Sequence, residues 1–288
     1  VSRDITELKE AQKSLQNMNI LLEEKVAIRT EDLELANKKI NDSINYAQNI
    51  QLAILSKPDD CFKVFPESFM LWKPKDVVSG DFMWSHSNDK YKYIAVIDCT
   101  GHGVPGALLS IVAKKILDRI VITEGIEDPQ NILINLDRAI ISTLRQDNNA
   151  ATDGMDIALC RIDQKNKFIV FAGAQRPLFY FNSKSIIEIP GSKLGIGGIM
   201  GINGKKSFNQ IGFQYEPGQV VYLTSDGYYA QFGGKEGKKL MKSRFSDYLL
   251  DISNKPITEQ GGLLNQHLVA WQGEEEQVDD VLVIGIQL

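Results

Sequence analysis

The chain has 288 residues, 43% of them hydrophobic and 24% charged, which is enough apolar content for a buried core and excludes wholesale disorder. A net charge of −5 argues against a surface built to neutralise nucleic-acid phosphates or anionic lipid. Three cysteines, Cys61, Cys99 and Cys160, lack CxxC spacing, so neither a disulfide framework nor a zinc knuckle is indicated, and a reducing, cytoplasmic compartment is expected.

At roughly 150 residues per domain, this length predicts about two structural units. No apolar run approaches the roughly 18 residues that span a bilayer, and no signal-like segment is seen. The start at Val1 rather than Met suggests a piece of something longer.

Residues 1–55 contain no proline or glycine and are rich in Glu, Lys, Asn, Gln and Leu, which predicts one long helix. Asp4 followed by Glu7 resembles a capping box and would start it. A seven-residue register runs through it, with Ile5, Gln12, Asn19, Val26, Leu33, Ile40, Ala47 and Ile54 at one seam position. Leu8, Leu15, Leu22, Arg29, Ala36, Ser43 and Ile50 take the other. A strict seven held this long favours a left-handed coiled coil, and a parallel homodimer is the expected form. Gln12, Asn19 and Arg29 interrupt the seam; polar residues there weaken packing but specify register. The alternative is a helix packed on its own globular domain.

Lys57-Pro58-Asp59-Asp60 ends the helix, because proline and the residue before it both oppose continuation. The domain boundary is therefore expected at residues 56–57, with a helix over 1–56 and a globular domain over 57–288. Strands are predicted at 93–98, 157–162, 167–173, 178–181, 219–227 and 281–288, short runs rich in β-branched and aromatic residues. Helical periods lie at 107–121, 129–146, 244–252 and 257–272. Strands that follow one another without a helix between them favour α+β layers over a doubly wound parallel sheet.

The chemistry is carried by aspartates at strand ends. Asp81 stands in VSGDF, Asp98 closes YIAVID, Asp226 closes VVYLTSD, and Asp279 and Asp280 open the last strand. Glycines beside three of these sites let the backbone come close, as an oxygen-only site for Mg²⁺ or Mn²⁺ requires; zinc would want His or Cys. A single Asp-Gly is more often only a turn, and spacing alone does not show that the four sites converge.

The ordered motifs VSGDF (78–82), IDCTGHGVPGA (97–107), DGMDIALCRID (153–163), FAGAQRPLFYF (171–181), LTSDGYYAQFGG (223–234) and VDDVLVIGI (278–286) resemble the metal-dependent protein phosphatase superfamily of protein phosphatase 2C fold. Within it they are most similar to the bacterial SpoIIE/RsbU-type branch, from about residue 65 to the end of the chain. The resemblance implies an αββα sandwich, two antiparallel sheets flanked by helices, with two divalent cations at one end. It implies that Asp98 touches both metals, that the Cys99 backbone carbonyl is a ligand, and that Asp81 completes one site while Asp226 and Asp279 complete the other. Asp280 is expected not to be a ligand but either a solvated carboxylate or one that stands behind the ligands. A water between two cations ionises near neutral pH and attacks phosphorus in line. His102, in the GHG turn, would protonate the leaving alkoxide or hold a water, or else only pack locally. His86 and His267 match no motif and are expected at the surface or on a helix face.

Two departures stand out. Where eukaryotic relatives carry GDSR, this chain reads GAQR (173–176), which puts a third metal in doubt. Their phosphate-binding arginine is missing, which leaves Lys73, Lys75 and Arg176 as candidates. Asp153 and Asp156 would bind an extra cation or cap a turn, the turn being preferred. VSRDITELKEAQ resembles the exit strand and following helix of a PAS sensor, and residues 22–40 resemble signalling helices that join sensors to output domains.

Three functions compete. The first is a Mn²⁺- or Mg²⁺-dependent phosphoserine/phosphothreonine protein phosphatase, whose family substrates are STAS-type anti-sigma-factor antagonists. The second is an inactive dimeric relay using the fold as a binding module, against which the retained aspartates argue. The third, a sensor-linked nucleotide cyclase, lacks a recognisable base-reading set.

Overall fold

The computed structural model describes residues 2–146, 153–198 and 206–288. The chain forms two compact units, Val1–Tyr46 and Ala47–Leu288. Helix α1 (Ser2–Ile54) is unbroken, as the lack of proline and glycine demands, and its last two turns are counted with the second unit. The chain is helical from Ser2. The side chains of Asp4, Ile5, Glu7 and Leu8, and with them the expected capping box and the first seam positions, lie outside what the structure describes. In the first unit Leu15, Leu22, Val26, Leu33 and Ile40 are each more than half exposed on the single chain. Ile20, Leu21, Ile28 and Leu35, off the seam, are exposed as well.

In the second unit the proline that stops α1 starts the next helix. Pro58 sits in the first turn of α2 (Pro58–Val64), where a missing N–H costs nothing, and the Asp60 carboxylate accepts the Lys57 N–H at 3.0 Å. There follow β1 (Ser68–Lys73), β2 (Asp81–Ser87), β3 (Lys92–Cys99), α3 (Gly103–Asp118) with a π turn at Arg119–Thr123, and α4 (Pro129–Thr143). Next come β4 (Gly154–Asp163), β5 (Phe168–Ala174), β6 (Leu178–Phe181), β7 (Ile186–Ile189), β8 (Ile196–Gly197), β9 (Gln210–Gln214) and β10 (Val220–Thr224). The chain closes with α5 (Gly227–Ala230), the small pair β11 (Phe232–Gly233) and β12 (Lys238–Lys239), α6 (Lys242–Ile252), α7 (Ile257–Gln272) and β13 (Val281–Gln287).

Two antiparallel sheets result, β1-β13-β10-β6-β7 and β2-β3-β4-β5-β9, with β8 added to β4. Side-chain alternation makes the layers. On β3, Tyr93, Ala95 and Ile97 pack toward α3 and α4, while Ile94 and Val96 pack between the sheets. On β13, Leu282, Ile284 and Ile286 join that same inner layer, while Val281 and Val283 face α6 and α7. Strands apolar on both faces must be covered on both, so three apolar slabs stack between four layers and the αββα expectation holds. The helices meet the sheets through single stripes, such as Leu109, Ala113, Ile116, Leu117 and Ile120. Asp128 caps α4 by accepting the Asn131 N–H at 3.1 Å, with Pro129 in its first turn.

The end of α1 is built into this unit. Gln51 is buried; its Nε2 donates to Ser79 O at 2.6 Å and Ser110 Oγ at 3.0 Å, and its Oε1 accepts the Ser79 N–H at 3.2 Å. Gln48 Nε2 donates to Val77 O at 2.6 Å, and Leu55 joins the apolar layer under α3 and α4.

Candidate metal centre

Strand register collects the carboxylates. Asp81 opens β2, Asp98 is the penultimate residue of β3, and the antiparallel pairing sets them opposite one another, with Asp156 of β4 opposite Asp98 in turn. Opposite residues share a face, so this row projects with Ile94 and Val96 toward the second sheet. That sheet supplies Asp226, just past β10, and Asp279, just before its neighbour β13. Asp98, Asp156, Asp226 and Asp279 line one cleft of about 200 Å³, together with Cys99, His102 and Arg176.

The guanidinium of Arg176, from the β5–β6 connection, lies among these carboxylates. It donates to Asp98 Oδ2 at 2.9 Å, Asp156 Oδ2 at 2.9 Å and Asp226 Oδ2 at 3.0 Å. The Asp98 carboxyl is pushed up to about 7, chiefly by burial, with Arg176 opposing the rise and Asp226, Asp279 and Asp156 adding to it. Burial likewise holds Asp81 well above the usual carboxylate range, helped by Asp98 and opposed by the Ser225 hydroxyl. Asp156 and Asp279 are raised by burial too, against the pull of Arg176 and of the Asp280 N–H respectively.

The supporting groups are equally specific. Asp280 is buried, and its two oxygens accept the N–H groups of Lys75 and Gly80, each at 2.7 Å, so it braces the segment before Asp81. Cys99 is buried, with its thiol pushed well up by burial, which removes it from thiolate chemistry and leaves its carbonyl as the group to consider. His102 stands at the rim, where Nδ1 lies 2.6 Å from Asp76 Oδ2 and Nε2 lies 3.3 Å from Lys75 Nζ. An ammonium only donates, so Nε2 accepts and the ring proton sits on Nδ1, toward Asp76.

Chemically this donor set suits a hard divalent cation. It is oxygen-only, and Asp81 Oδ2 is buried with no hydrogen-bond partner. Among the described residues, no group of three or more His, Cys, Asp or Glu side chains stands ready to hold an ion, because the carboxylates are spread around the guanidinium.

Asp81, Asp98, Asp156 and Asp279 bind protons more tightly folded than unfolded. In chelator, stability is therefore expected to fall as pH rises from the ordinary 3.8 through about 7, by about 1.4 kcal/mol per pH unit for each extra proton the folded state holds. Melting temperatures between pH 5 and pH 8 in EDTA should decline, and Mn²⁺ or Mg²⁺ should restore more at pH 8 than at pH 5. A flat or rising profile in chelator would contradict the buried-carboxylate account.

The structure thus brings Asp98, Cys99, Asp226, Asp279 and His102 to one cleft, with Asp81 on the strand beside Asp98. Asp156, expected in a turn, is a strand residue lining the cleft, whereas Asp153 precedes the strand. His86 lies on β2 between Trp84 and Tyr93, and His267 stacks on Tyr248 at 3.9 Å. Asp76 lies outside every quoted motif, and Tyr229, whose hydroxyl lies 3.3 Å from Arg176 Nη1, lies inside LTSDGYYAQFGG without a role having been assigned to it.

The family described as stage II sporulation protein E (SpoIIE) matches residues 88–288. The phosphoserine phosphatase RsbU of Bacillus subtilis (strain 168) is 26% identical over 194 residues, covering 66% of this chain. The chain spans about half, 54%, of that relative's length. Among solved structures, the SiaA-PP2C domain of Pseudomonas aeruginosa is 35% identical, with a TM-score of 0.79 over 88% of this chain and 98% of that one. The PP2C phosphatase domain of the cell fate determinant SpoIIE from Bacillus subtilis, solved with a fragment of its regulatory domain, has the same fold. It is 17% identical, with a TM-score of 0.63 over 77% of this chain and 63% of that one.

Proposed function

The chain belongs to the SpoIIE family and carries a PP2C-type phosphatase domain, and from that premise we propose that it hydrolyses phosphoserine or phosphothreonine on a protein, using Mn²⁺ or Mg²⁺. The observation that carries this reading is the meeting of aspartates from two sheets in one cleft. Asp81, Asp98, Asp226 and Asp279 with the Cys99 carbonyl would hold the cations; one solved neighbour, RsbX, was crystallised in complex with magnesium. Bound there, divalent cations supply charge that activates water and steadies the phosphoryl oxygens.

The chain's own groups do the rest. Asp280 fixes the backbone at Lys75 and Gly80, which keeps Asp81 in place. The Asp76 carboxylate orients the His102 ring, and the shared proton between Lys75 Nζ and His102 Nε2 lies at the rim, where a leaving serine oxygen needs one. The mixed, open mouth suits a phosphorylated segment of a folded protein, and a STAS-type anti-sigma-factor antagonist in the cytoplasm is the substrate class we assign. The test is hydrolysis of a phosphoserine peptide in Mn²⁺ against EDTA. Metal-dependent release of phosphate supports the proposal, and a chain that binds no divalent cation at millimolar concentration refutes it.

Dimerisation through residues 1–46 belongs to the same proposal, because Val26, Leu33 and Ile40 leave apolar surface in water at a seven-residue interval. The triple change Val26→Asp, Leu33→Asp, Ile40→Asp is expected to halve the mass in light scattering. An unchanged mass would sink that part of the reading.

A further inference from the structure

Arg176 is a cation already present in the cleft. Its side chain is 11% exposed, one Nη2 is shared between Asp98 of one strand and Asp156 of the next, and Nη1 reaches across to Asp226 of the other sheet. The Tyr229 hydroxyl steadies Nη1 at 3.3 Å, while Nε is buried without an acceptor. The charge is thus held in place by carboxylates, and two of the three are residues assigned above to the metals. A guanidinium and a divalent cation repel one another, and a carboxylate oxygen turned toward one is turned from the other.

We propose that Arg176 is a built-in competitor for the divalent cations. It holds Asp98 and Asp226 until a cation takes them, so metal loading is an exchange in which the guanidinium gives up those two oxygens. Metal affinity is then set by the difference between two cations and not by the acidic cluster alone. Arg176 acts here as a positioning residue, keeping carboxylates of both sheets apart and oriented while no ion holds them. The inference rests on the metal reading of the same cleft.

Calorimetric titration with Mn²⁺ separates the two. Arg176→Gln is expected to bind Mn²⁺ about tenfold more tightly than the unaltered chain or better, since the rival charge is gone. In EDTA the variant should melt at a lower temperature, because its carboxylates face one another uncompensated, and Mn²⁺ should raise that temperature by more than in the unaltered chain. Arg176→Lys keeps a charge but cannot fork to three carboxylates, so its affinity should fall between the two; it carries the comparison if the glutamine variant does not fold in EDTA. Equal or weaker Mn²⁺ binding by the variants, with normal binding by the unaltered chain, overturns the inference and leaves the metal centre standing. Failure of the unaltered chain to bind Mn²⁺ overturns both.

Discussion

Asp98→Asn is expected to lower Mn²⁺-dependent hydrolysis of a phosphoserine peptide by about a thousandfold or more in kcat/KM, the scale of losing a group that organises transition-state charge. The reason lies in its place in the row. Asp98 stands between Asp81 and Asp156 by strand pairing and feels Asp226 and Asp279 from the other sheet. No other carboxylate of the cleft is flanked in this way. Asparagine keeps the shape and removes the charge, so the variant should remain folded in EDTA and lose most of its stabilisation by Mn²⁺. Calorimetry and thermal melting beside the kinetics check both halves. Retention of a tenth of the activity would remove Asp98 from the centre of the mechanism.

Gly227→Ala should be nearly as damaging by a different route. A Cβ built there would lie 1.9 Å from the Asp280 carbonyl oxygen, 2.9 Å from its carbonyl carbon and 3.4 Å from Asp279 Cβ. The two nearest atoms are backbone of the residue just before the paired strand β13, which cannot swing aside as a side chain can. The added methyl must push the start of α5, and Asp226 with it, away from Asp279. We expect about 1–3 kcal/mol of destabilisation from overpacking and Mn²⁺ affinity lowered about 10- to 100-fold, as when groups that orient ligands are disturbed. Gly262→Ala is the matched control, since nothing lies within 4 Å of its added methyl and α7 should gain about 1 kcal/mol of helix propensity. Equal melting temperatures for the two variants would refute the close-approach argument.

The inner strands were legible because each is rich in β-branched or aromatic residues and apolar on both faces; β3, β4, β5, β6, β10 and β13 all appeared in the pattern near their true bounds. Strand β2, FMWSHS after its aspartate, mixes large and polar residues on both faces and hid from a periodicity test, as did the polar edge strand β9. Pairing was legible where strands follow one another directly, as β4 and β5 do, but not between distant strands. β1 lies beside β13, from opposite ends of the domain, and nothing local in either run announces the other. The resemblance of ordered motifs, and not periodicity, selected the αββα sandwich.

At the site, Asp81, Asp98 and Asp226 drew attention because a carboxylate at a strand end beside glycine is a local signature, and Asp279 because it opens the last strand. Asp156 was taken for a turn residue because it follows Asp-Gly, although the strand had already begun at Gly154. Arg176 was weighed only as a phosphate ligand. Its three ion pairs join residues between 20 and 78 positions away, which no local pattern encodes.

The buried amide of Gln51 sets a rule for dissecting this protein. A fragment trimmed to start at Pro58, where the sequence changes character, would leave the Ser79 N–H and C=O without partners and uncover the slot filled by Leu55. The Ser79 groups lie two residues from Asp81. The shortest autonomous piece must therefore keep the closing turns of the first helix, and a truncation series should lose its cooperative melt between starts at residues 47 and 52 rather than at the proline.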